Sequence, residues 1–192
     1  MNVKDSSFDS YRKRVIDLYL KINVVEVSEL AKAIKKAVLD HKTIYILGNG
    51  GSASTASHFA TDLVNIAHRR GVNLKIFSLV DSASIITAIS NDIAFEDIFT
   101  VQLKSKLNIG DLVLSISVSG NSTNLINAVN YSNKVGAHTA SLIGFDGGIL
   151  KNISKVSCHI PSEIKEYGPV EDIHLSICHY IAADIDNFYE SK

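Results

Sequence analysis

Residues 43–52 read Thr-Ile-Tyr-Ile-Leu-Gly-Asn-Gly-Gly-Ser, a short apolar run that stops in glycines and leads into a helical pattern continuing past His58. A largely apolar run of this length is what a strand covered on both faces of a parallel sheet looks like. The same unit recurs outward from it: runs at 74–79, 112–117, 139–143 and 156–160 alternate with helix-like segments. Such alternation implies right-handed crossovers and predicts a doubly wound, three-layer α/β/α sandwich around a five-stranded parallel sheet. In these sheets ligands sit beyond the carboxyl ends of the strands, near a topological switch point. The loops after the first and third strands are therefore where chemistry is expected.

Ahead of the sheet, residues 8–22 read as a helix, with Tyr11, Val15, Leu18, Tyr19 and Ile22 at helical spacing. A second helix follows, with Ser28 as its expected N-cap and Leu30, Ile34, Ala37 and Val38 on one face. Residues 1–41 are thus expected to form an N-terminal helical extension of a single domain covering 1–192. No repeat, low-complexity tract or Pro/Gly-rich linker divides the chain, and its two prolines are Pro161 and Pro169.

With 46% hydrophobic residues among 192, the chain is not a disordered one. Its 19 basic and 20 acidic side chains leave a net charge of -1, against a generic nucleic-acid surface. The basic runs Arg12-Lys13-Arg14, Lys35-Lys36 and Arg69-Arg70 are short enough to be solvated helix faces. No stretch approaches the roughly 18 apolar residues of a membrane span. The first residues lack the apolar core of a signal peptide. Cys158 and Cys178 stand alone without a CxxC spacing, which fits a reducing compartment, so the cytoplasm is the expected location.

The first loop, Gly48-Asn49-Gly50-Gly51-Ser52, brings backbone amides and a helix N-terminus to bear on an anion. Gly48, Gly50 and Ala53 match dinucleotide-fingerprint spacing, but the acidic partner expected about 20 residues on is missing, and Asp81 comes too late. The second loop, Ser117-Val118-Ser119-Gly120-Asn121-Ser122-Thr123, places four hydroxyls and a glycine before a helix expected to start near Asn121. Hydroxyls, amides and a helix dipole together hold phosphate without lysine or arginine. A helix cap alone needs one hydroxyl, not four. The P-loop lysine is absent.

These two loops, with Ser57-His58-Phe59-Ala60, Ser90-Asn91-Asp92, Gly144-Phe145-Asp146-Gly147-Gly148 and Glu171-Asp172-Ile173-His174, resemble in order and spacing the sugar isomerase (SIS) domain family, within its phosphoheptose isomerase branch. The resemblance implies a flavodoxin-like SIS fold and a homotetramer with active sites at subunit contacts. It implies an aldose–ketose isomerase that converts sedoheptulose 7-phosphate to D-glycero-D-manno-heptose 7-phosphate through an enediol, for heptose and surface lipopolysaccharide biosynthesis. By position it implies substrate contacts at Asn49, Gly50, Gly51, Ser52, His58, Asp62, Asn91, Asp92, Ser117, Val118, Ser119, Ser122 and Glu171, with Ser117, Ser119 and Ser122 on the phosphate.

Ketose–aldose interconversion moves one proton between neighbouring carbons and another between their oxygens, work suited to a carboxylate and an imidazole. His58 and Asp62, four residues apart, share one helix face. Glu171 and His179, eight apart on the last helix, lie about 80° apart around its axis, so both reach one cleft. The resemblance implies Asp62 as base and His179 as acid. It also implies zinc, one ion per subunit, on His58, Asp62, Glu171 and His179, as in some members. Two positions depart from the family pattern: Asp62 stands where the pattern has glutamate, and Glu171 where it has glutamine. A base displaced by about 1 Å can cost a hundredfold in rate. Conversely, two imidazoles and two carboxylates make a fuller zinc set, and Glu171 offers an alternative base.

His174 and His179 share a helix, and either one reads as a surface or a core residue; His41, His68, His138 and His159 read as structural. Asp172 either positions substrate or begins the helix after Pro169. Two alternatives stay open beside the heptose reading. One is an isomerase of another phosphosugar. The other is a non-catalytic SIS protein that binds sugar phosphate or a protein partner, as one family member does with the bacterial replication initiator. The presence of both Asp62 and His179 favours an enzyme. The expected partners are a small-molecule sugar phosphate and further copies of the chain, not nucleic acid or membrane.

Overall fold

The computed structural model describes residues 7–191, so residues 1–6 of the expected helical extension and residue 192 lie outside the described residues. Helix α1 (Phe8–Leu20) starts at Ser7, whose Oγ accepts from the Ser10 amide. Helix α2 (Val24–Leu39) starts one turn before the expected Ser28 cap. Asn23 caps it instead: its Oδ1 accepts from Val25 N at 3.0 Å, and its Nδ2 donates to Glu26 Oε1 at 3.3 Å. The β-branched Val24, Val25 and Val27 disguise that first turn, because valine is a weak helix former. The expected stripe of Leu30, Ile34, Ala37 and Val38 is buried.

The sheet has the order β2-β1-β3-β4-β5, with every neighbouring pair parallel. Its strands are β1 (Ile44–Gly48), β2 (Ile76–Ser78), β3 (Leu112–Ser117), β4 (His138–Ile143) and β5 (Val156–His159). The edge strand β2 is shorter than the expected 74–79, since it pairs with β1 alone. Helix α3 (Gly51–Arg70) follows β1. Helix α4 (Ala83–Asp92), a 3-10 turn (Phe95–Asp97) and α5 (Ile98–Lys104) follow β2. Helix α6 (Thr123–Val135) follows β3, α7 (Leu150–Ile153) follows β4, and α8 (Tyr167–Glu190) closes the chain.

Side chains alternate across each strand, and two separate cores result. Ile44, Ile46, Leu114 and Leu142 join α2, α3 and α8 on one face. Tyr45, Leu47, Val113 and Ile143 join α4, α5, α6 and α7 on the other. This is the three-layer sandwich. Phe59 of α3 is 0% exposed in the first core, and its truncation to alanine would cost about 3–5 kcal/mol.

Strands β1 and β3 are neighbours, yet α3 leaves toward the first core and α6 toward the second. The two loops therefore diverge, and a crevice opens between them. Helix α1 straps onto the start of α8: Tyr11 Oη donates to Asp172 Oδ2 at 2.5 Å, and the Arg14 guanidinium grips Glu166 at 2.5 and 2.6 Å. Cys158 and Cys178 are buried free thiols. Among the described residues no helix is long and apolar enough to cross a membrane.

Candidate active site

The crevice holds a cleft of about 170 Å³ lined by Asn49 and Ser52 from the first loop, Ile116 to Ser119 and Ser122 from the second, and Tyr167 and Glu171 from α8. The first loop turns tightly into α3, so a Cβ on Gly48 would lie 2.6 Å from the Ser52 carbonyl oxygen. Only glycine allows that approach. In the second loop, Ser117 Oγ accepts from Gly120 N at 3.1 Å and Ser119 Oγ accepts from Asn121 N at 3.3 Å. A hydroxyl that accepts from the backbone still has its own proton to donate. Ser122 is the N-cap of α6, which begins two residues after the expected Asn121, and its side chain makes no cap bond among the described residues. Its hydroxyl is not consumed by capping.

The loop that follows β4 supports this one from behind. Gly144 N donates to Val118 O and Leu150 N to Gly120 O, each at 3.0 Å. Ile149 N donates to Asn121 Oδ1 at 3.0 Å. Gly120 has φ +64°, and a Cβ there would strike the Gly147 carbonyl, so the two loops pack backbone against backbone. His159, read as structural, holds the same region: its Nε2 lies 3.0 Å from the Phe145 carbonyl and its Nδ1 3.0 Å from Lys151 Nζ.

Further along α3 and α8, His58, Asp62 and His179 come together, with candidate ligand atoms all within 4.8 Å of one another. His58 Nε2 lies 3.2 Å from His179 Nε2, and Asp62 Oδ2 lies 3.6 Å from the first and 3.8 Å from the second. Two imidazoles with one carboxylate can pass protons or hold a metal ion. Glu171 stands apart from this group, at the cleft, where its carboxylate covers Gly51 so closely that a Cβ there would collide with it. Burial, and then the neighbouring Asp172, raise the Glu171 pKa.

Asn91 and Asp92 end α4, exposed and hydrogen-bonded to each other at 2.8 Å, outside the lining of this cleft. Asp172 lies in the second turn of α8, which starts at Tyr167, so it does not begin the helix; its Oδ2 accepts from Tyr11 Oη. Burial and that bond push the Tyr11 hydroxyl up to about 12. His174 is a core residue, 0% exposed, and neither ring nitrogen has a hydrogen-bond partner among the described residues. Burial brings its pKa down to about 4, with the Ile143 carbonyl near enough to oppose the shift slightly. Sequence reasoning missed Tyr167 in the cleft wall and Asn124, whose amide bonds to that of Asn49.

Fold and site together define a class: a doubly wound α/β domain with an anion-suited cleft at its switch point and an imidazole–carboxylate group beside it. Residues 10–144 match the SIS domain family, and the chain belongs to it. It is 31% identical over 167 residues to the probable phosphoheptose isomerase of Thermoplasma acidophilum, covering 87% of this chain and 91% of the relative. It is 35% identical over 149 residues to the phosphoheptose isomerase of Helicobacter pylori, covering 78% and 77%. Among solved structures it resembles a phosphoheptose isomerase from Francisella tularensis, with TM-score 0.86 and 26% identity over 97% of this chain and 100% of that one. The Neisseria gonorrhoeae phosphoheptose isomerase superposes with TM-score 0.85 and 28% identity, over 93% and 96%.

Proposed function

We propose that the chain is a phosphosugar aldose–ketose isomerase acting on a seven-carbon substrate, taking sedoheptulose 7-phosphate to D-glycero-D-manno-heptose 7-phosphate. The observation that carries this reading is a hydroxyl-lined anion cleft whose wall includes Ser52 of α3 and Glu171 of α8, the two helices that carry the imidazole–carboxylate group further along. Ser52 and His58 are six residues apart and Glu171 and His179 eight, so the two ends are separated by roughly 9–12 Å along the axes at about 1.5 Å per residue. The phosphoheptose isomerase relatives support the same substrate class.

In this reading the phosphate rests on the hydroxyls of Ser117, Ser119 and Ser122 and on the N-terminus of α6. Asp62 takes a proton from C1 of the ketose, which leaves an enediol, and a proton returns to C2. His179 carries the second proton from O1 to O2. No atoms are gained or lost, and no oxidant is needed. The donor set also fits zinc: separations of 3.2, 3.6 and 3.8 Å bracket the tetrahedral edge of about 3.4 Å set by bonds near 2.1 Å. His58, Asp62 and His179 would hold the ion, without the expected Glu171, which stands apart at the cleft, and bound zinc would polarise the substrate carbonyl.

The enzyme is proposed to act in the cytoplasm as a homotetramer, supplying heptose for surface polysaccharide. Asn91 and Asp92, outside the cleft of their own chain, then serve a site at a subunit contact. The test is a series of ketose phosphates of seven, six and five carbons, assayed with and without chelator and added zinc. The reading expects kcat/KM for sedoheptulose 7-phosphate at least about 100-fold above the shorter sugars, since a misplaced reacting carbon costs on that order. Equal turnover of the six-carbon substrate would contradict it.

A further inference from the structure

We propose that Asn124 is a positioning residue that locks the side-chain amide of Asn49, so that one fixed N–H of Asn49 serves the ligand in the cleft. This rests on the reading of the cleft as a phosphosugar site. Asn124 sits in the first turn of α6, 2% exposed, on the buried face that also carries Leu125, Ala128, Val129 and Ser132. It does not line the cleft, whereas Asn49 does. Asn49 Nδ2 donates to Asn124 Oδ1 at 2.9 Å, and Asn124 Nδ2 donates to Asn49 Oδ1 at 3.0 Å.

A reciprocal amide pair is by itself ambiguous, because turning both amides over restores both bonds. The Leu125 amide removes the ambiguity. It donates to Asn124 Oδ1 at 2.9 Å as well as to the Ser122 carbonyl at 3.1 Å; an Asn124 Nδ2 in that place would set donor against donor, so the oxygen faces the amide and Asn49 answers with nitrogen. One of the two Asn49 N–H groups is thereby engaged. The other is fixed in direction, and Asn49 cannot turn its carbonyl into that place without breaking both bonds. The pair also ties the loop after β1 to the start of α6, the two segments that diverge at the switch point. An apolar side chain would fill the Asn124 position without the cost of burying an amide, so packing alone does not account for asparagine there.

The test is a double-mutant cycle with Asn49→Ala, Asn124→Ala and the pair, in the whole chain. Inorganic phosphate is titrated in by calorimetry, and turnover of sedoheptulose 7-phosphate is measured alongside. Each single change should weaken phosphate binding roughly 5- to 20-fold, the range expected when a buried hydrogen-bond partner is lost. The double variant should be no weaker than the worse single one, and KM should rise while kcat holds. Asn124→Asp keeps the shape, loses the donor and should weaken binding as well, which covers the case in which the alanine variant does not fold. Additive losses, wild-type affinity in either Asn124 variant, or no phosphate binding by the unaltered chain would each overturn the assignment. Coupled losses in a chain that binds phosphate but never isomerises would overturn the isomerase reading and uphold the role of Asn124.

Discussion

In the cleft, Ser117 and Ser119 are each held by a backbone amide of their own loop, and that loop is in turn held by the one after β4. The His58, Asp62 and His179 side chains are held differently. They project from two helices and meet one another while remaining 49%, 29% and 51% exposed. The proposed binding half of the site is thus preformed within one chain by committed hydrogen bonds. The proposed proton-transfer half depends on helix spacing and is open to whatever completes it: substrate, metal or a neighbouring copy. Changes in the second half should therefore damage chemistry, and changes in the first should damage affinity.

Asp62→Asn removes the proposed base and keeps the shape, so kcat should fall about a thousandfold or more with KM nearly unchanged, to be measured in steady-state turnover of sedoheptulose 7-phosphate. A variant that loses affinity instead would erase the division between the halves. His179→Ala should lower kcat by about a hundredfold, the lower range for a lost proton-transfer partner. His174, five residues earlier, provides the contrast. It is neutral in both the folded and unfolded states above pH 6.5, but with a folded pKa of about 4 only the unfolded chain takes up its proton as the pH falls through that window. Stability should then drop by roughly 3 kcal/mol between pH 6.5 and 4, and denaturant unfolding of His174→Leu should lack that limb. The smallest effect is expected from Ser119→Ala: about a tenfold rise in KM with kcat held, the loss of one hydrogen bond to a charged group.

The strand runs carried the fold, because a strand buried on both faces leaves a continuous apolar signature and β3 shows it at full length. The Asn23 cap was hidden behind valines. The two histidines of α8 were separable in principle: Val170, Ile173, His174, Ile177, Cys178 and Ile181 form the buried stripe, and His179 falls off it. The same signal marks Asn124, an amide on the apolar face of α6. A polar residue at a position the helical period assigns to the core was the clue in both cases. The contact of Asp172 with Tyr11 spans 161 residues, and no local pattern announces a pairing across that distance.

The most direct test of the central claim, that the two halves serve one heptose phosphate, is to follow aldose formation from sedoheptulose 7-phosphate with the unaltered chain and with Asp62→Asn, while titrating both with inorganic phosphate. Turnover by the first, its near abolition in the second, and equal phosphate affinity in the two are expected. Turnover undiminished in Asp62→Asn, or phosphate binding without any turnover by the unaltered chain, would contradict it.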